Sequence, residues 1–456
     1  MTEILRQKLN DSAAARWTVL AVVAFTMFCG YYITDVMAPL MDGLQAELNW
    51  TGSEYGLFTS SYVWFNVFLF MLIFSGMILD KLGVRKTGII ACILMIAGCG
   101  VKYYSVANPE LFTGTILGIK SQVIAASAGF ALFGTGVETA GITVTKVIAR
   151  WFKGYEMALA MGLQVAVARI GTGVAMATAN PLAKGLGSLS APILLGLGLL
   201  CIGLISYLVF CVMDRKLDAS MKDIEQEPEE PFKVKDILLI VKKKGFWLVA
   251  LLCVLFYSAV FPFQKFATSI ITNKYNVDAE LAGSVVLILS VATMLLTPFF
   301  GGIYDKKGKG ATIMIIGAIL LIFVHSMFAL PITYWWFAVI LVSILGIAFS
   351  LVPSAMWPSV PKIIPQNQLG TAYGLIFWVQ NIGLGGVPLL IGWVLDKYCI
   401  IGEKIAENGN RVPIYDYTLP FIIFTCFGIM ALFVAFLLKR EDKKKGYGLE
   451  QPNIKK

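Results

Sequence analysis

Long apolar runs recur along the whole chain and are separated by short polar segments. Twelve runs can be marked, each long enough to cross a hydrocarbon core of about 30 Å as a helix of about 20 residues. They cover residues 17–41, 55–79, 88–107, 121–148, 156–180, 190–213, 246–271, 281–304, 311–330, 334–357, 371–395 and 417–438. Backbone amides in lipid must be bonded within their own segment, so these runs are predicted to be helices. The pattern predicts an all-α membrane protein with twelve transmembrane helices.

The longest polar interruption follows the sixth run. Residues 214–244 are rich in glutamate and lysine, which is typical of a linker outside the membrane. We therefore divide the chain into an N-terminal six-helix bundle at 1–213, a cytoplasmic linker at 214–244, a C-terminal six-helix bundle at 245–439 and a cytoplasmic tail at 440–456.

Short motifs recur at corresponding places in the two halves. Residues 76–86 (GMILDKLGVRK) follow the second run, and residues 301–308 (GGIYDKKG) follow the eighth. A second pair opens the fifth and eleventh runs, at 156–163 (EMALAMGL) and 368–375 (QLGTAYGL). The second pair is separated by 212 positions. Recurrence in phase with the apolar runs predicts that the two halves are structural repeats.

The chain resembles the major facilitator superfamily, whose loop between helices two and three carries G-x-x-x-D-K/R-x-G-x-R-K. Residues 150–156 (RWFKGYE) are also similar to the family's basic turn between helices four and five. The resemblance covers the chain from about residue 17 to about residue 439. It implies two six-helix bundles related by a parallel repeat, with a solute site between them near the membrane midplane.

The repeated loop predicts a cytoplasmic gate. Gly76 would let two helices approach closely, and Asp80 is a carboxylate just past a helix end. We expect Asp80 to hold the two bundles together in the outward-open state, through Arg150 and the N-terminus of the eleventh helix. The alternative is a solvated charge that follows the topology. The predicted gate residues are Asp80, Arg85, Arg150 and Asp305.

Charge is distributed unevenly between the two sides of the predicted spans. Most of the 37 lysines and arginines lie in loops on the side of the N-terminus, as expected for cytoplasmic loops. We therefore predict that both termini are cytoplasmic. This topology explains the net charge of +9, so the expected partners are the lipid bilayer and a small solute, with no nucleic acid.

No pattern in the chain points to catalysis. The single histidine, His325, lies within the ninth run, and no G-x-S-x-G, H-E-x-x-H or P-loop pattern occurs. Most cysteines lie within apolar runs, so no disulfide framework is expected. We expect a monomeric protein that is not an enzyme and has no cofactor or metal. A non-transporting receptor remains as an alternative.

Ionisable side chains deep inside a span are costly and usually face a cavity or one another. The deepest in this chain are Glu138, Arg169, Lys265 and Lys146. Asp35 and Lys102 lie nearer the outer ends of their runs, where each can reach water. Glu138 and Arg169 have two interpretations: a solute site, or a buried ion pair that only fixes helix packing.

The repeat favours the solute site. The offset of 212 places Ser350 opposite Glu138 and Asn381 opposite Arg169, so the charges occur in one half only. A pair needed for the fold alone would be expected in both halves. Polar and aromatic side chains complete the candidate site, with ordinary packing as the alternative for each; they are Tyr257, Phe261, Gln264, Trp378, Asn381, Tyr31, Tyr62 and Asn66.

Further segments resemble one branch of the superfamily. Residues 257–263 (YSAVFPF), 365–374 (PQNQLGTAYG) and 380–383 (QNIG) are similar to the branch that includes the lysosomal dipeptide uniporter. This resemblance implies that Glu138 binds the ammonium group and Arg169 the carboxylate of a dipeptide. Lys265 would supplement Arg169. Because the charges of a dipeptide are neutralised within such a site, the expected mechanism is facilitated diffusion, with proton coupling as the alternative.

An organic-anion carrier is the alternative function. It would be proton-coupled or exchanging, with Arg169 and Lys265 as the anion site and little use for Glu138. The N-terminal tail holds no di-leucine signal, so the expected location is a bacterial inner membrane rather than a lysosome.

Overall fold

A computed structural model describes residues 9–152, 155, 157–221, 234–365, 368–405 and 409–452. Only the backbone is described at Asp80, 157–159, Met221, 234–236 and Gly370. The α-helices are α1 (Ala13–Asp35), α2 (Met41–Leu48), α3 (Gly52–Ser61), α4 (Trp64–Phe68), α5 (Met71–Ala107), α6 (Ser121–Trp151), α7 (Met157–Leu186), α8 (Ala191–Met221), α9 (Val234–Val241), α10 (Lys244–Tyr275), α11 (Ala279–Lys307), α12 (Gly310–Phe328), α13 (Trp335–Ile363), α14 (Leu369–Tyr398) and α15 (Thr418–Lys445).

Short elements lie between the long helices. Two 3₁₀ turns span Leu9–Asp11 and Pro109–Leu111. The strands β1 (Thr115–Ile116) and β2 (Ile119–Lys120) form one antiparallel hairpin, and β3 (Ile400–Ile405) and β4 (Arg411–Tyr415) form another. Both hairpins lie on the side opposite the N-terminus, which is called the outer side below.

Eleven helices of the described chain are long and apolar enough to cross a membrane. They match every predicted span except the second, and the prediction of an all-helical membrane protein is confirmed. The segment predicted as the second span is broken into α3, α4 and the beginning of α5. Hydropathy therefore located this segment without showing that its helix is discontinuous.

The backbone explains why the second span is broken. Ser60 Oγ donates to Leu57 O, and Ser61 Oγ donates to Phe58 O, so both hydroxyls bond the last turn of α3. Phe70 then has a φ of 53°, in the left-handed region that non-glycine residues rarely adopt. Gly83, with a φ of 74°, bends α5 where the second span passes into the third.

The internal repeat is visible in the helix bounds. The first and last residues of α14 are each 212 positions after those of α7, and α6 and α13 also end 212 positions apart. The offset inferred from the motifs therefore aligns whole helices.

Two helix crossings close the outer side: α14 packs on α3, and α11 packs on α7. Each crossing needs a glycine. A Cβ on Gly56 would lie 2.6 Å from Pro388 O, and one on Gly283 would lie 1.7 Å from Met176 O. Gly56 and Gly283 are each the fifth residue of their helix, and Met176 and Pro388 are 212 positions apart. The crossings are thus related by the repeat.

The opposite ends of these helices are apart. Gly76, Gly162, Gly301 and Gly374, which belong to the repeated motifs, have open space within 4 Å of where a Cβ would stand. The close approach expected at Gly76 is therefore absent in the described chain. The described chain is closed on the outer side and open on the side predicted to be cytoplasmic.

Candidate solute-binding site

Glu138 lies on α6 and is held against the broken second span. Gly134, one turn before it, allows close packing, since a Cβ there would lie 2.0 Å from Tyr62 O. The Tyr62 hydroxyl then donates to Glu138 Oε1 at 2.8 Å. Asn66 is buried nearby, with Nδ2 3.5 Å from Gly134 O. The predicted residues Glu138, Tyr62 and Asn66 are thus brought together.

Arg169 lies on α7, which approaches α1 through Gly171; a Cβ at that position would lie 2.3 Å from Phe28 O. The Arg169 guanidinium carbon stands 5.6 Å from the ring centroid of Tyr31 and 5.0 Å from that of Phe261. It stands 5.8 Å from the ring of Phe349 on α13. Because α10 and α13 belong to the other half, Arg169 bridges the halves.

The aromatic side chains near Arg169 form a continuous cluster. The ring of Phe349 lies 5.5 Å from that of Tyr257 and 5.3 Å from that of Phe261, and Trp357 Nε1 donates to the Tyr257 hydroxyl at 3.1 Å. Tyr257 and Phe261 were predicted. Phe349 was missed, because one phenylalanine in an apolar run carries no signal, although the repeat did point to its neighbour Ser350.

Glu138 and Arg169 do not pair with each other. Within the described chain, neither makes an ion pair, and Tyr62 is the described hydrogen-bond partner of Glu138. Tyr31 lies within electrostatic range of both charges. The interpretation of these two residues as a buried ion pair is therefore wrong for this conformation. The candidate site thus contains one acidic and one basic side chain that do not contact each other.

Lys265 forms its described side-chain bonds with groups at the end of α1, not with Arg169 or the aromatic cluster. Its ammonium group lies 2.6 Å from Asp35 Oδ1 and donates to Thr34 O at 2.8 Å. Asp35 is buried at 6% exposure rather than reaching water, and it accepts a hydrogen bond from Thr172. Lys102 is also fully buried, with Nζ 3.1 Å from Ile33 O. Both lysines therefore bond carbonyls in the last turn of α1.

Of the remaining predicted lining residues, Asn381 and Gln264 are buried and Trp378 is half-buried. Trp378 donates to Val67 O at 3.1 Å and stacks on Phe70 at 5.7 Å. These two contacts join the halves on the inner side of the crossing between α3 and α14. Asn381 donates to Phe377 O at 2.8 Å. Gln264 is buried beside Lys265 on α10.

Arg85 and Arg150 of the predicted gate meet in an acidic cluster within the N-terminal half. Arg85 Nη1 lies 2.6 Å from Asp218 Oδ2, and Arg150 Nη1 lies 3.0 Å from Asp214 Oδ1. Arg150 also pairs with Asp218. The Asp80 side chain is outside the described residues, and Asp305 lies in the last turns of α11. The inter-bundle contact expected for Asp80 stays a prediction.

The outer closure contains polar contacts that the sequence did not predict. Asp396 of α14 accepts hydrogen bonds from the backbone amides of Gly52 and Ser53, at 2.8 and 2.6 Å. It therefore caps the N-terminus of α3 from the other half. Asp42 on α2 accepts hydrogen bonds from Ser269 and Asn273 on α10.

The β3–β4 hairpin reinforces this closure. The Tyr415 hydroxyl donates to Asp396 Oδ1 at 2.9 Å and accepts from Gln45 of α2 at 3.1 Å. Burial, followed by the charge of Asp396, raises the pKa of the Tyr415 phenol above its usual range. The phenol therefore stays protonated and remains a donor at neutral pH.

Comparisons with known proteins agree with this architecture. A family model described as Major Facilitator Superfamily matches residues 20–388. The lysosomal dipeptide transporter MFSD1 of Mus musculus is 30% identical over 401 residues, which cover 84% of this chain and 81% of that protein. The Homo sapiens protein of the same name is 29% identical over 400 residues, with 84% and 81% covered.

Solved structures share the fold at low sequence identity. The nucleoside transporter NupG has a TM-score of 0.66 at 16% identity, covering 93% of this chain and 99% of that one. A D-xylose-proton symporter has a TM-score of 0.68 at 14% identity, covering 92% and 97%. At these identities the similarity concerns the fold alone.

Proposed function

The chain belongs to the Major Facilitator Superfamily and is a multi-pass secondary transporter, and from that premise we propose that it carries dipeptides by facilitated diffusion. The substrate is a small zwitterion, held end to end between Glu138 and Arg169. The carrier is a monomer of a bacterial inner membrane, with both termini in the cytoplasm.

The observation that carries this proposal is that the two charged side chains within the spans have no ionic partners among the described residues. Glu138 and Arg169 lie deep within their spans, and in the described chain neither has an ionised partner. Isolated charges in a membrane interior are costly, so such residues are usually compensated. A dipeptide compensates both at once, because its ammonium group pairs with Glu138 and its carboxylate with the forked guanidinium of Arg169.

The contacts of Lys265 favour a dipeptide over an organic anion. An anion carrier would use Arg169 and Lys265 together and would have little use for Glu138. Here Lys265 is paired with Asp35 at 2.6 Å, whereas Glu138 has no ionic partner within the part of the chain that the structure describes and can bind the ammonium group of a ligand. The relatives at 28–30% identity are called lysosomal dipeptide transporters, which supports the same choice of substrate.

Facilitated diffusion follows from the charge balance of the site. A dipeptide is neutral overall, so binding adds no net charge that a proton must cancel. We therefore expect that a pH gradient does not drive accumulation of a dipeptide in proteoliposomes. Accumulation that follows the proton gradient would instead support the proton-coupled mechanism.

Charge neutralisation at either end of the site tests the proposal. We expect Glu138→Gln and Arg169→Gln each to weaken dipeptide binding about a hundredfold, because a hydrogen bond to a charged group contributes about 1.5–3 kcal/mol. Arg169→Lys should bind poorly, because an ammonium group cannot make the two-pronged contact. Binding is measured by calorimetry and uptake in proteoliposomes.

An acid and a base far from the site serve as matched controls. Glu403 and Arg411 form an exposed pair on the β3–β4 hairpin, so Glu403→Gln and Arg411→Gln should leave binding unchanged. Acetylating the peptide's amino end should mimic Glu138→Gln, and amidating its carboxyl end should mimic Arg169→Gln. If Glu138→Gln transports dipeptides like the parent, the end-to-end arrangement must be abandoned.

A further inference from the structure

The three helices that hold Arg169 meet again one turn nearer the outer side. The first layer, called the anchor layer, consists of Tyr31, Arg169 and Phe261. The second, called the outer layer, consists of Asp35, Thr172 and Lys265. Each outer residue lies three or four positions after its counterpart on α1, α7 or α10. One helical turn, about 5.4 Å, therefore separates the layers.

The charged groups of the outer layer can each form further hydrogen bonds. The Lys265 ammonium has three N–H groups, and its described acceptors are Asp35 Oδ1 and Thr34 O. The Asp35 carboxylate has about four lone-pair sites, and its described donors are Lys265 and Thr172. A further hydrogen bond can thus be added to either residue without breaking the pair.

The outer layer is also nearly neutral and only partly shielded. The side-chain exposures are 15% for Lys265 and 9% for Asp35. An uncharged ligand group placed beside the pair meets no net charge. A charged group of either sign finds one member of the pair with the opposite charge. This combination differs from a lone lysine, which would favour anionic groups alone.

We propose that the Asp35–Lys265 pair binds the charged side chain of the substrate residue whose carboxylate is held by Arg169. The inference rests on the proposed dipeptide function. An acidic side chain bonds to Lys265, and a basic side chain bonds to Asp35. One helical turn is a distance that a glutamate or lysine side chain can span from its own carboxylate. Neutral side chains need neither residue, so the pair broadens the range of peptides carried.

Three peptides and two single substitutions test this assignment in proteoliposomes. The peptides Ala-Ala, Ala-Glu and Ala-Lys differ only at the carboxyl-terminal side chain. We expect Lys265→Gln to raise the KM for Ala-Glu about tenfold relative to that for Ala-Ala, because it removes one charge-assisted hydrogen bond. Asp35→Asn should do the same for Ala-Lys. Each substitution should spare the peptide of the other charge.

Two further variants separate recognition from structural damage. Each single change leaves a partly buried charge without its partner, whereas Asp35→Asn combined with Lys265→Gln leaves none. In the double variant we expect the KM for both Ala-Glu and Ala-Lys to rise relative to that for Ala-Ala. Thr172→Val removes a hydrogen bond to Asp35 without altering any charge, so it should leave the ratios between peptides unchanged.

The outcomes distinguish this inference from the proposal beneath it. Equal changes in KM for all three peptides in every variant would overturn the inference and leave the dipeptide function standing. A parent protein that carries none of the three peptides would overturn the dipeptide function and the inference with it. A rise in KM for Ala-Glu alone with Lys265→Gln, and for Ala-Lys alone with Asp35→Asn, would support both.

Discussion

The guanidinium of Arg169 meets the rings of Tyr31, Phe261 and Phe349 at 5.0–5.8 Å. Ring contacts of this kind attract the cation electrostatically without using its N–H groups as hydrogen-bond donors to an oxygen. The rings therefore hold the Arg169 guanidinium in place within the candidate site, and under the proposed function they would do so before a dipeptide binds. Preorganisation reduces the cost of ordering a long side chain on binding.

Removing one of these rings should weaken carboxylate recognition. A cation–π contact contributes about 0.5–2 kcal/mol, depending on burial, so we expect Phe261→Leu to raise the Kd of a dipeptide about fivefold. Phe263→Leu is the matched control on the same helix, because Phe263 packs against His325 and Phe328 instead. Calorimetry measures the Kd of the dipeptide for both variants. Equal losses in the two variants would contradict an orienting role for Phe261.

The free-energy cost of placing a charge within an apolar run singled out the central residues of the candidate site. Glu138 and Arg169 stood out because charges deep in apolar runs are rare, and the structure leaves both of them without ionic partners. The same reasoning failed for Asp35 and Lys102, which were expected to reach water. Their burial depends on neighbouring helices: Lys265 of the other half covers Asp35, and Phe130 lies 4.8 Å from the Lys102 ammonium. Contacts between side chains of different helices cannot be predicted from the sequence of a single apolar run.

At the scale of helices, the outer closure has two related crossings with different chemistry. At one, Asp396 of α14 caps the N-terminus of α3. At the other, Lys184 of α7, the repeat counterpart of Asp396, pairs with Glu280 in the first turn of α11. The first contact is partly buried, whereas the side chains of Lys184 and Glu280 are 77% and 43% exposed. The two contacts should therefore differ in energy.

Asp396→Asn should open the outer side, and Lys184→Gln should not. A helix cap contributes about 1 kcal/mol, and a charged one at a helix terminus somewhat more; an exposed ion pair contributes about 0–1 kcal/mol. Ser269→Cys provides the reporter, because Ser269 is 3% exposed within the closure. We expect an impermeant thiol reagent to label this cysteine about fivefold faster with Asp396→Asn. Equal labelling rates in the two variants would show that Asp396 does not stabilise the closed outer side.

Hydropathy and the repeat predicted most of the helices. The apolar runs located the eleven continuous spans, and the motif offset anticipated the shared bounds of α7 and α14. The break in the second span was not predicted, because it depends on serine hydroxyls bonding the backbone and on the φ of Phe70. The β3–β4 hairpin was also missed, since its residues lie in a short polar interruption where the apolar runs give no information.

At the scale of the whole molecule, the polar contacts between the halves define one conformation. Among the described residues, hydrogen bonds joining the halves extend from the hairpin at the outer surface to Trp378. Nearer the N-terminal side, the described pairs stay within one half, as Arg85 and Arg150 do with Asp214. This is the arrangement expected of a carrier open to the cytoplasm.

That orientation depends on the predicted topology, which labelling in intact cells can test. Leu117, at the tip of the β1–β2 hairpin, is 97% exposed, and Lys444 lies in the exposed last turn of α15. We expect an impermeant thiol reagent to label Leu117→Cys in intact cells and Lys444→Cys only after permeabilisation. The parent protein gives the background from its own cysteines. The reverse pattern would invert the assignment of inside and outside.

The discontinuous second span bears on how the protein is made. The helix α3 has 10 residues and α4 has 5, so each is far shorter than the roughly 20 residues that a spanning helix needs. The break leaves backbone groups that lipid cannot satisfy. Within the N-terminal half this segment packs on α6, which leaves the ribosome only later. We therefore expect the second span to be integrated together with the fourth, as a group rather than one helix at a time.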